Sequence, residues 1–118
     1  KPDYAHAYNA LGYSFADRGR RLPEALALIE KAVKLAPDDP HIIDSLGWVH
    51  YRMGNLKEGR KYLNQAFAVR PDPEIAAHLG EVLWKQGEKE EAKKIWQTAL
   101  KSDPDNEVLL KTIKKFMP

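Results

Sequence analysis

The stretch DSLGWVHYRMGNLKEG, residues 44–59, decides the fold of this 118-residue chain. If its first part is helical, one mixed aromatic and charged face is formed at i, i+4, i+7 and i+8 by Asp44, Trp48, Tyr51 and Arg52. Leu46 and Gly47 lie on another face. Gly54 predicts the end of this helix, because glycine enters the left-handed region without a Cβ penalty. Asn55 with Glu58 predicts the N-cap of a second helix, so the stretch is the centre of a helix hairpin.

The hairpin occurs three times in the chain. In the first helix of each copy, a Leu-Gly pair stands at Leu11-Gly12, Leu46-Gly47 and Leu79-Gly80. Successive pairs lie 35 and 33 residues apart. The glycines that end these helices are Gly19, Gly54 and Gly87. The second helices match at two small residues, at one large apolar residue and at a proline that follows the helix. The small residues are Ala25, Gly59 and Ala92, and then Ala32, Ala66 and Ala99. The apolar residues are Ile29, Leu63 and Trp96, and the prolines are Pro37, Pro71 and Pro104.

A period near 34 residues with this arrangement of small residues and proline resembles the tetratricopeptide repeat (TPR) family over nearly the whole chain. The resemblance implies an all-α fold, a right-handed TPR superhelix (α-solenoid) of three helix-turn-helix repeats plus a C-terminal capping helix. We call the first helix of each repeat its A helix and the second its B helix. The chain is predicted to be a single TPR domain, 1–118, with repeat 1 at about 5–39, repeat 2 at about 40–72, repeat 3 at about 73–106 and the capping helix at about 106–117.

Close packing within each hairpin explains the small residues. Two antiparallel helices approach closely only where side chains are small, so the glycines of the A helices should lie against the alanines of the B helices. The dipeptides Asp39-Pro40 and Asp72-Pro73 each predict an N-cap followed by the first turn of an A helix. Inward-facing positions are predicted for Tyr8, Leu11 and Phe15 in repeat 1 and for Leu63, Phe67 and Val69 in repeat 2.

The two ends of the chain differ. Continuing the repeat places Lys114 where Gly80 stands, and a lysine leaves no room for a closely packed partner helix. The last helix should therefore cover repeat 3 with its apolar side and expose Lys111, Lys114 and Lys115. Residues 1–3 match the closing proline and cap between repeats, so we expect a fragment of a longer array with apolar surface exposed at its N-terminal end.

The composition of the chain excludes some kinds of chemistry and gives no support for some kinds of partner. The net charge is +2 with both signs interspersed, which gives no support for a nucleic-acid partner. Cysteine is absent, so disulfides and thiolate chemistry are excluded. No apolar run approaches the roughly 18 residues of a membrane span, so no membrane contact is predicted for this chain. An upstream targeting segment could have been removed, because the chain begins without Met.

The TPR resemblance implies that the A helices line the concave side of the superhelix, where a partner protein or peptide binds. The candidate binding residues are Asn9, Tyr13 and Asp17 from repeat 1, His41, Asp44, Ser45, Trp48, Tyr51 and Arg52 from repeat 2, and His78, Glu81, Trp84 and Lys85 from repeat 3. Neighbouring positions are His6, Glu74 and Ala77, with Lys111 and Lys115 at the rim. The aromatic members have the composition of a binding hot spot. The alternative for Trp48 and Trp84 is packing between adjacent A helices, and Trp96 is expected to be structural.

The charges of this surface favour one kind of ligand. Asp17, Arg52 and Lys85 occupy equivalent positions of successive repeats, so the field becomes positive towards the C-terminus. The predicted ligand is a segment with apolar side chains and some acidic character. Some TPR domains hold a C-terminal carboxylate with Lys and Asn, then Asn, then Lys and Arg. That clamp is not predicted here, because the corresponding residues are Asn9 and Tyr13, Ser45, and Glu74 and His78.

Catalytic and cofactor sites are not predicted. His41 and Ser45 are helical neighbours, but the adjacent Asp44 points elsewhere, so a charge relay lacks its geometry. The four histidines show no metal-site spacing. Every glycine is assigned to a repeat position, so no phosphate-binding loop remains. We expect a protein that is not an enzyme and binds no cofactor or metal.

Two functions remain open. The first is an adaptor module that binds a partner in the concave groove. The second is a structural spacer of a longer solenoid that self-associates through its exposed N-terminal face. The runs DSLGWVHYRMGNLKEG and DPEIAAHLGEVLWKQGEKEEAKKIWQTAL are similar to C-terminal repeats of proteobacterial TPR proteins, including outer-membrane lipoproteins that act as adaptors. This resemblance implies a bacterial periplasm or outer-membrane location through a lipidated N-terminus absent from the chain, with the cytoplasm as the next choice.

Overall fold

Short connections of three or four residues join seven α-helices in a computed structural model that describes the backbone of residues 2–118 and the side chains of residues 4–118. No strand is found among those residues. The helices are α1 (Pro2–Asp17), α2 (Leu22–Leu35), α3 (Pro40–Arg52), α4 (Leu56–Val69), α5 (Pro73–Lys85), α6 (Lys89–Ser102) and α7 (Glu107–Phe116). The helices α1, α3 and α5 are the A helices, α2, α4 and α6 are the B helices, and α7 is the capping helix.

Local sequence signals set most helix ends. The carboxylates of Asp39 and Asp72 accept backbone N–H groups at the starts of α3 and α5, as predicted. Gly19, Gly54 and Gly87 have positive φ after each A helix, as predicted. Asn55 is the N-cap residue of α4, as predicted, but its side chain makes no cap bond and its Nδ2 lies 3.3 Å from His50 Nδ1 instead.

Within each hairpin, glycine lets the A helix approach the B helix closely. A Cβ atom at Gly47 would lie 2.8 Å from Leu63 Cγ and 2.9 Å from the Gly59 carbonyl oxygen. At Gly12 it would lie 2.7 Å from Ile29 Cγ1. At Gly80 the space is filled by the indole of Trp96, so a large flat side chain there replaces the predicted contact with alanine. These contacts confirm that small residues on the A helices set the hairpin spacing.

The helices stack in chain order. Each A helix contacts its own B helix and the next A helix, and α2 and α4 contact the A helix that follows them. The capping helix packs mainly on α5 and touches α6, burying Leu109 completely. Lys111, Lys114 and Lys115 are exposed, as predicted. The buried apolar residues form four clusters, which half-buried residues such as Tyr51 and Tyr62 connect, and α7 covers the cluster at the C-terminal end.

Two predicted core residues are exposed. Val69 is 61% exposed because it lies in the last turn of α4, beyond the helices that cover Leu63 and Phe67. Leu11 is 50% exposed and lies with half-buried Phe15 and Leu28 beside a cleft of about 460 Å³ on the outer side of the first hairpin. This exposed apolar surface at the N-terminal end was itself predicted. None of the helices in the described part of the chain is long and apolar enough to cross a membrane.

Replacing Gly47 by Leu should lower the free energy of unfolding by about 3 kcal/mol, because the added atoms collide with α4 at Leu63 and Gly59. Urea unfolding followed by circular dichroism measures the change. The control is Ala68→Leu on the exposed side of α4, which adds the same side chain where no core surrounds it and should change stability by less than about 0.5 kcal/mol. Equal unfolding midpoints for the two variants would contradict the packing account.

Candidate functional site

The A helices present one matching row of residues each. In α5, Glu74, His78, Glu81 and Lys85 stand at i, i+4, i+7 and i+11, which is one helix face. The equivalent residues are His41, Ser45, Trp48 and Arg52 in α3, and His6, Ala10, Tyr13 and Asp17 in α1. We call these three rows together the A-helix surface. The ends of the rows are exposed or half-buried, while their middle positions in α3 and α5 are buried.

The buried middle corrects the sequence-based expectation of an open groove at these positions. Trp48 is 4% exposed, and Asp44, Ser45, His78 and Glu81 are buried as well, as is Ala77. The physical reason is that α3 packs between α1 and α5 along these positions. The polar groups of this layer bind one another or the backbone, for example Ser45 Oγ, which donates to the His41 carbonyl oxygen at 3.1 Å.

His78 is the centre of the buried polar layer. Its Nδ1 lies 2.9 and 3.1 Å from the two carboxylate oxygens of Asp44, and its Nε2 lies 3.2 Å from the phenolic oxygen of Tyr13. Its ring stacks on the indole of Trp48 with the ring centroids 4.1 Å apart. In the imidazolium form both ring nitrogens donate, one to Asp44 and the other to Tyr13. One side chain of α5 therefore joins all three A helices.

The electrostatic environment favours the charged form of His78. Burial opposes the imidazolium, but the charge and hydrogen bond of Asp44, with Glu81 and Asp17 further away, outweigh burial and raise the pKa of His78. Burial, together with the charges of Asp17 and Asp44, raises the pKa of Tyr13. The phenol of Tyr13 is thus neutral in the physiological range.

A second set of contacts ties the surface to the capping helix. Trp48 Nε1–H donates to Asp17 Oδ1 at 3.3 Å, and the Tyr51 hydroxyl donates to Glu81 Oε2 at 2.7 Å. Burial and the hydrogen bond to Glu81 raise the pKa of Tyr51. Lys115 Nζ lies 3.7 Å from the same Glu81 oxygen. The capping helix is therefore joined to the A-helix surface by charge as well as by apolar contact.

Trp84 lies apart from the other aromatic residues of the predicted groove. Its ring stacks on Trp96 at 5.7 Å and lies 5.9 Å from the ring of Phe116, beneath the capping helix. Trp96 is 1% exposed, so its structural role was predicted correctly. Trp48 adopts the predicted alternative of packing between A helices, whereas Trp84 packs against α6 and α7. Both indoles therefore pack against neighbouring helices instead of lining an open groove.

A cleft of about 530 Å³ opens at the edge where the A helices end, and we call it the turn-edge cleft. Leu22, Tyr51 and Leu56 give it apolar walls, and Arg52 and Lys85 bring two positive charges. Among the side chains of residues 4–118, neither cation has a carboxylate within ion-pair distance. Lys85 Nζ instead lies 5.6 Å from the centre of the Phe116 ring. The cleft joins all three repeats and suits a ligand that is both apolar and anionic.

A smaller cavity of about 180 Å³ lies at the other end of the same rows, and we call it the Glu74 pocket. Asn9, Tyr13, His41 and Glu74 line it. The Asn9 Oδ1 atom is buried without a hydrogen-bond partner in the described part of the chain. Glu74 is exposed and has no ion pair with any side chain of residues 4–118. This end is thus negative, whereas the turn end has a net positive charge, because Arg52 and Lys85 outnumber Asp17 there.

Two site residues and one contact escaped the sequence-based prediction. Leu22 and Leu56 begin B helices, and their role as cleft walls depends on how the turns stack. Tyr13 and His78 were predicted as site residues, but their contact was not, because it joins residues 65 positions apart. The contact between Asp44 and His78 could have been found from the sequence, because they lie 34 positions apart, about one repeat period. Among the side chains of residues 4–118, no three potential metal ligands come together.

The sequence model described as "Tetratricopeptide repeat" matches residues 1–40 and 45–107. The chain belongs to the tetratricopeptide repeat family. A TPR repeat-containing protein of Pseudomonas aeruginosa is 55% identical to it over 71 residues. These residues are 60% of this chain but only 12% of that relative, so the chain spans a small part of the relative's length.

Solved structures share the fold at low sequence identity. The first TPR domain of the RPAP3 protein Spaghetti, bound to the HSP90 peptide SRMEEVD, has a TM-score of 0.80 at 19% identity, covering 98% of this chain and 91% of that one. The second TPR domain of human RPAP3, in complex with the HSP70 peptide SGPTIEEVD, has a TM-score of 0.77 at 18% identity, covering 100% and 99%. A Thermus thermophilus TPR protein has a TM-score of 0.82 at 22% identity, covering 100% and 66%. The all-α TPR architecture is thereby confirmed.

The raised pKa of His78 predicts a specific pH dependence of stability. A folded-state pKa above the unfolded value of about 6.5 means that the contribution is complete below that pH and is lost as the pH rises through the folded-state pKa. Urea unfolding at a series of pH values should show that the free energy of unfolding of the parent protein falls as the pH rises through the folded-state pKa. The His78→Gln variant should lack the fall, whereas the exposed control His41→Gln should retain it. A parallel pH profile in His78→Gln would contradict the assignment.

Proposed function

We propose that the A-helix surface binds an extended segment of a partner protein, and that the turn-edge cleft receives an apolar side chain of this segment beside an acidic one. The observation that carries the proposal is the pairing of apolar walls with two cations, Arg52 and Lys85, that have no carboxylate partner among the described side chains, residues 4–118. Cations at the edge of an apolar cleft attract an acidic ligand and fix its position.

The fixed shape of the surface supports the same function. The contacts of His78 with Asp44, Tyr13 and Trp48 hold the three A helices at set distances. Lys115 and Glu81 hold the capping helix against them. A surface fixed before binding loses less conformational freedom when the ligand arrives, so more of the contact energy appears as affinity. Trp48, Asp44, Ser45, His78 and Glu81 act in this proposal as supporting residues beneath the ligand.

Two solved domains of the same fold hold peptides in their structures, one from HSP90 and one from HSP70, which supports a protein-interaction module of this type. The residues at the clamp positions of this chain favour a different ligand. His78 and Tyr13 are bonded to each other, Ser45 is buried, and Glu74 would repel a carboxylate. We therefore place acid recognition at Arg52 and Lys85. The proposal assigns no catalytic step, and the bacterial envelope location stays a prediction.

Selection of short peptides on the immobilised protein tests the proposal. Enriched peptides should combine large apolar residues with Asp or Glu. Fluorescence polarisation should show about tenfold weaker binding of these peptides to the Arg52→Gln, Lys85→Gln double variant, because two charge contacts are lost. The matched control, Lys57→Gln with Lys101→Gln, removes two exposed cations from the B helices and should bind as the parent does. Equal affinity in both double variants would rule out the turn-edge cleft.

The exposed N-terminal face favours a second candidate, self-association of this chain. Leu11, Phe15 and Leu28 form an uncovered apolar surface, and Arg21, Glu24 and Lys31 stand around it with both charge signs. A two-fold contact brings identical patches together, so a patch with both signs can pair with a copy of itself.

Sedimentation velocity over a range of concentrations tests this second candidate. Self-association through the N-terminal face predicts a rising average mass in the parent protein. Leu11→Gln should abolish that rise, because it removes the most exposed apolar side chain of the face. The control Val69→Gln changes an equally exposed residue elsewhere and should leave the rise intact. A monomer at all concentrations would eliminate the second candidate without affecting the first.

A further inference from the structure

We propose that the bound segment crosses from the Glu74 pocket to the turn-edge cleft and carries a basic and an acidic side chain about five residues apart. The inference rests on the proposed function and adds the charge pattern of the ligand and the spacing of its charges. The occupant is an extended segment of a partner protein. Its basic side chain lies near Glu74 and its acidic side chain near Arg52 and Lys85.

The two charged ends lie on one face of the same helix. Glu74 and Lys85 are eleven residues apart in α5, which is about three helical turns, so both project from the same side, roughly 16 Å apart along the axis. His41 and Arg52 have the same separation in α3. The distance between the two charged ends is therefore set by helix geometry and is repeated in adjacent helices.

The charges between these ends are already neutralised. Asp44 is paired with His78, and Glu81 accepts from Tyr51 and lies near Lys115. By contrast, Glu74 has no cation and Arg52 and Lys85 have no carboxylate within ion-pair distance in the described part of the chain. Asp17 stands at the same end of the rows as the two cations and keeps its negative charge, because the indole N–H that it accepts from Trp48 is neutral. A ligand thus meets a negative charge at the Glu74 end and a net positive charge at the turn end, where the two cations outnumber Asp17.

The spacing in the ligand follows from the spacing on the protein. An extended chain advances about 3.3 Å per residue, so roughly 16 Å corresponds to about five residues. A helical ligand would need about eleven residues for the same span. Charge complementarity at both ends discriminates against segments with one charge sign throughout, because one end would then be repelled.

Peptide titrations followed by NMR of the labelled protein test the spacing. The probe peptides are capped at both termini and have an Ala, Leu and Ser background. One Lys and one Glu stand five positions apart in either order, with two-position and eleven-position spacings as comparators. The five-position peptides should bind about tenfold more tightly than the two-position peptides, because only they satisfy both ends. Shift changes should then occur at both ends of α5.

A variant of Glu74 tests the basic end of the ligand independently of its acidic end. Glu74→Lys should weaken the five-position peptide about tenfold, and replacing the peptide Lys by Glu should restore binding to this variant. The control Glu30→Gln removes an exposed carboxylate from α2 and should bind as the parent does. Tightest binding by the eleven-position peptide would overturn the extended ligand.

The outcomes distinguish this inference from the function on which it rests. One outcome is that the selected acidic and apolar peptides lose affinity in the Arg52 and Lys85 variant, while peptides of all three spacings bind with equal affinity. The turn-edge cleft then remains the binding site, and the ligand with two charged ends is overturned. If Glu74→Lys leaves every affinity unchanged, the basic end of the ligand is likewise overturned. Selected peptides that are indifferent to Arg52 and Lys85 would overturn the proposed function itself.

Discussion

Close approach of an A helix to its B helix is the constraint on which the rest of the structure depends. Gly47 lies against Gly59 and Leu63 with no room for a Cβ atom, and Gly12 has the same relation to Ile29. The spacing within a hairpin decides the angle and distance at which the next hairpin packs. Because each repeat contacts mainly its neighbours, a small error in one hairpin would move every later helix of the series.

The same packing creates the candidate site. Stacked A helices bring Tyr13, Asp44 and His78 together from three repeats and leave the row ends exposed. Buried polar groups are costly unless they are hydrogen-bonded, and here the Asp44 carboxylate stabilises the imidazolium that it faces. We infer that this layer fixes the positions of the A helices, while recognition falls to Arg52, Lys85 and Glu74 at the exposed ends.

Much of the fold was predictable from local chemistry. Asp39 and Asp72 cap helices, and Gly54 ends one, for reasons that depend on neighbouring residues only. The repeat period identified the Gly and Ala positions of the hairpin contact. Exposure was harder to predict, because periodicity gives the face of a helix but not which neighbour covers it. Leu11 and Val69 were placed inside for that reason, and Trp48 was placed in an open groove.

The helices, their order and the hairpin contacts could be derived from the amino-acid sequence, because they depend on residues close in the chain or one period apart. Only the folded structure shows that Trp48, His78 and Glu81 are buried and that Arg52 and Lys85 share a cleft with Leu22 and Leu56. These relations depend on how helices of different repeats pack together, which the local pattern of residues does not specify. Burial and charge pairing at the candidate site follow from that packing.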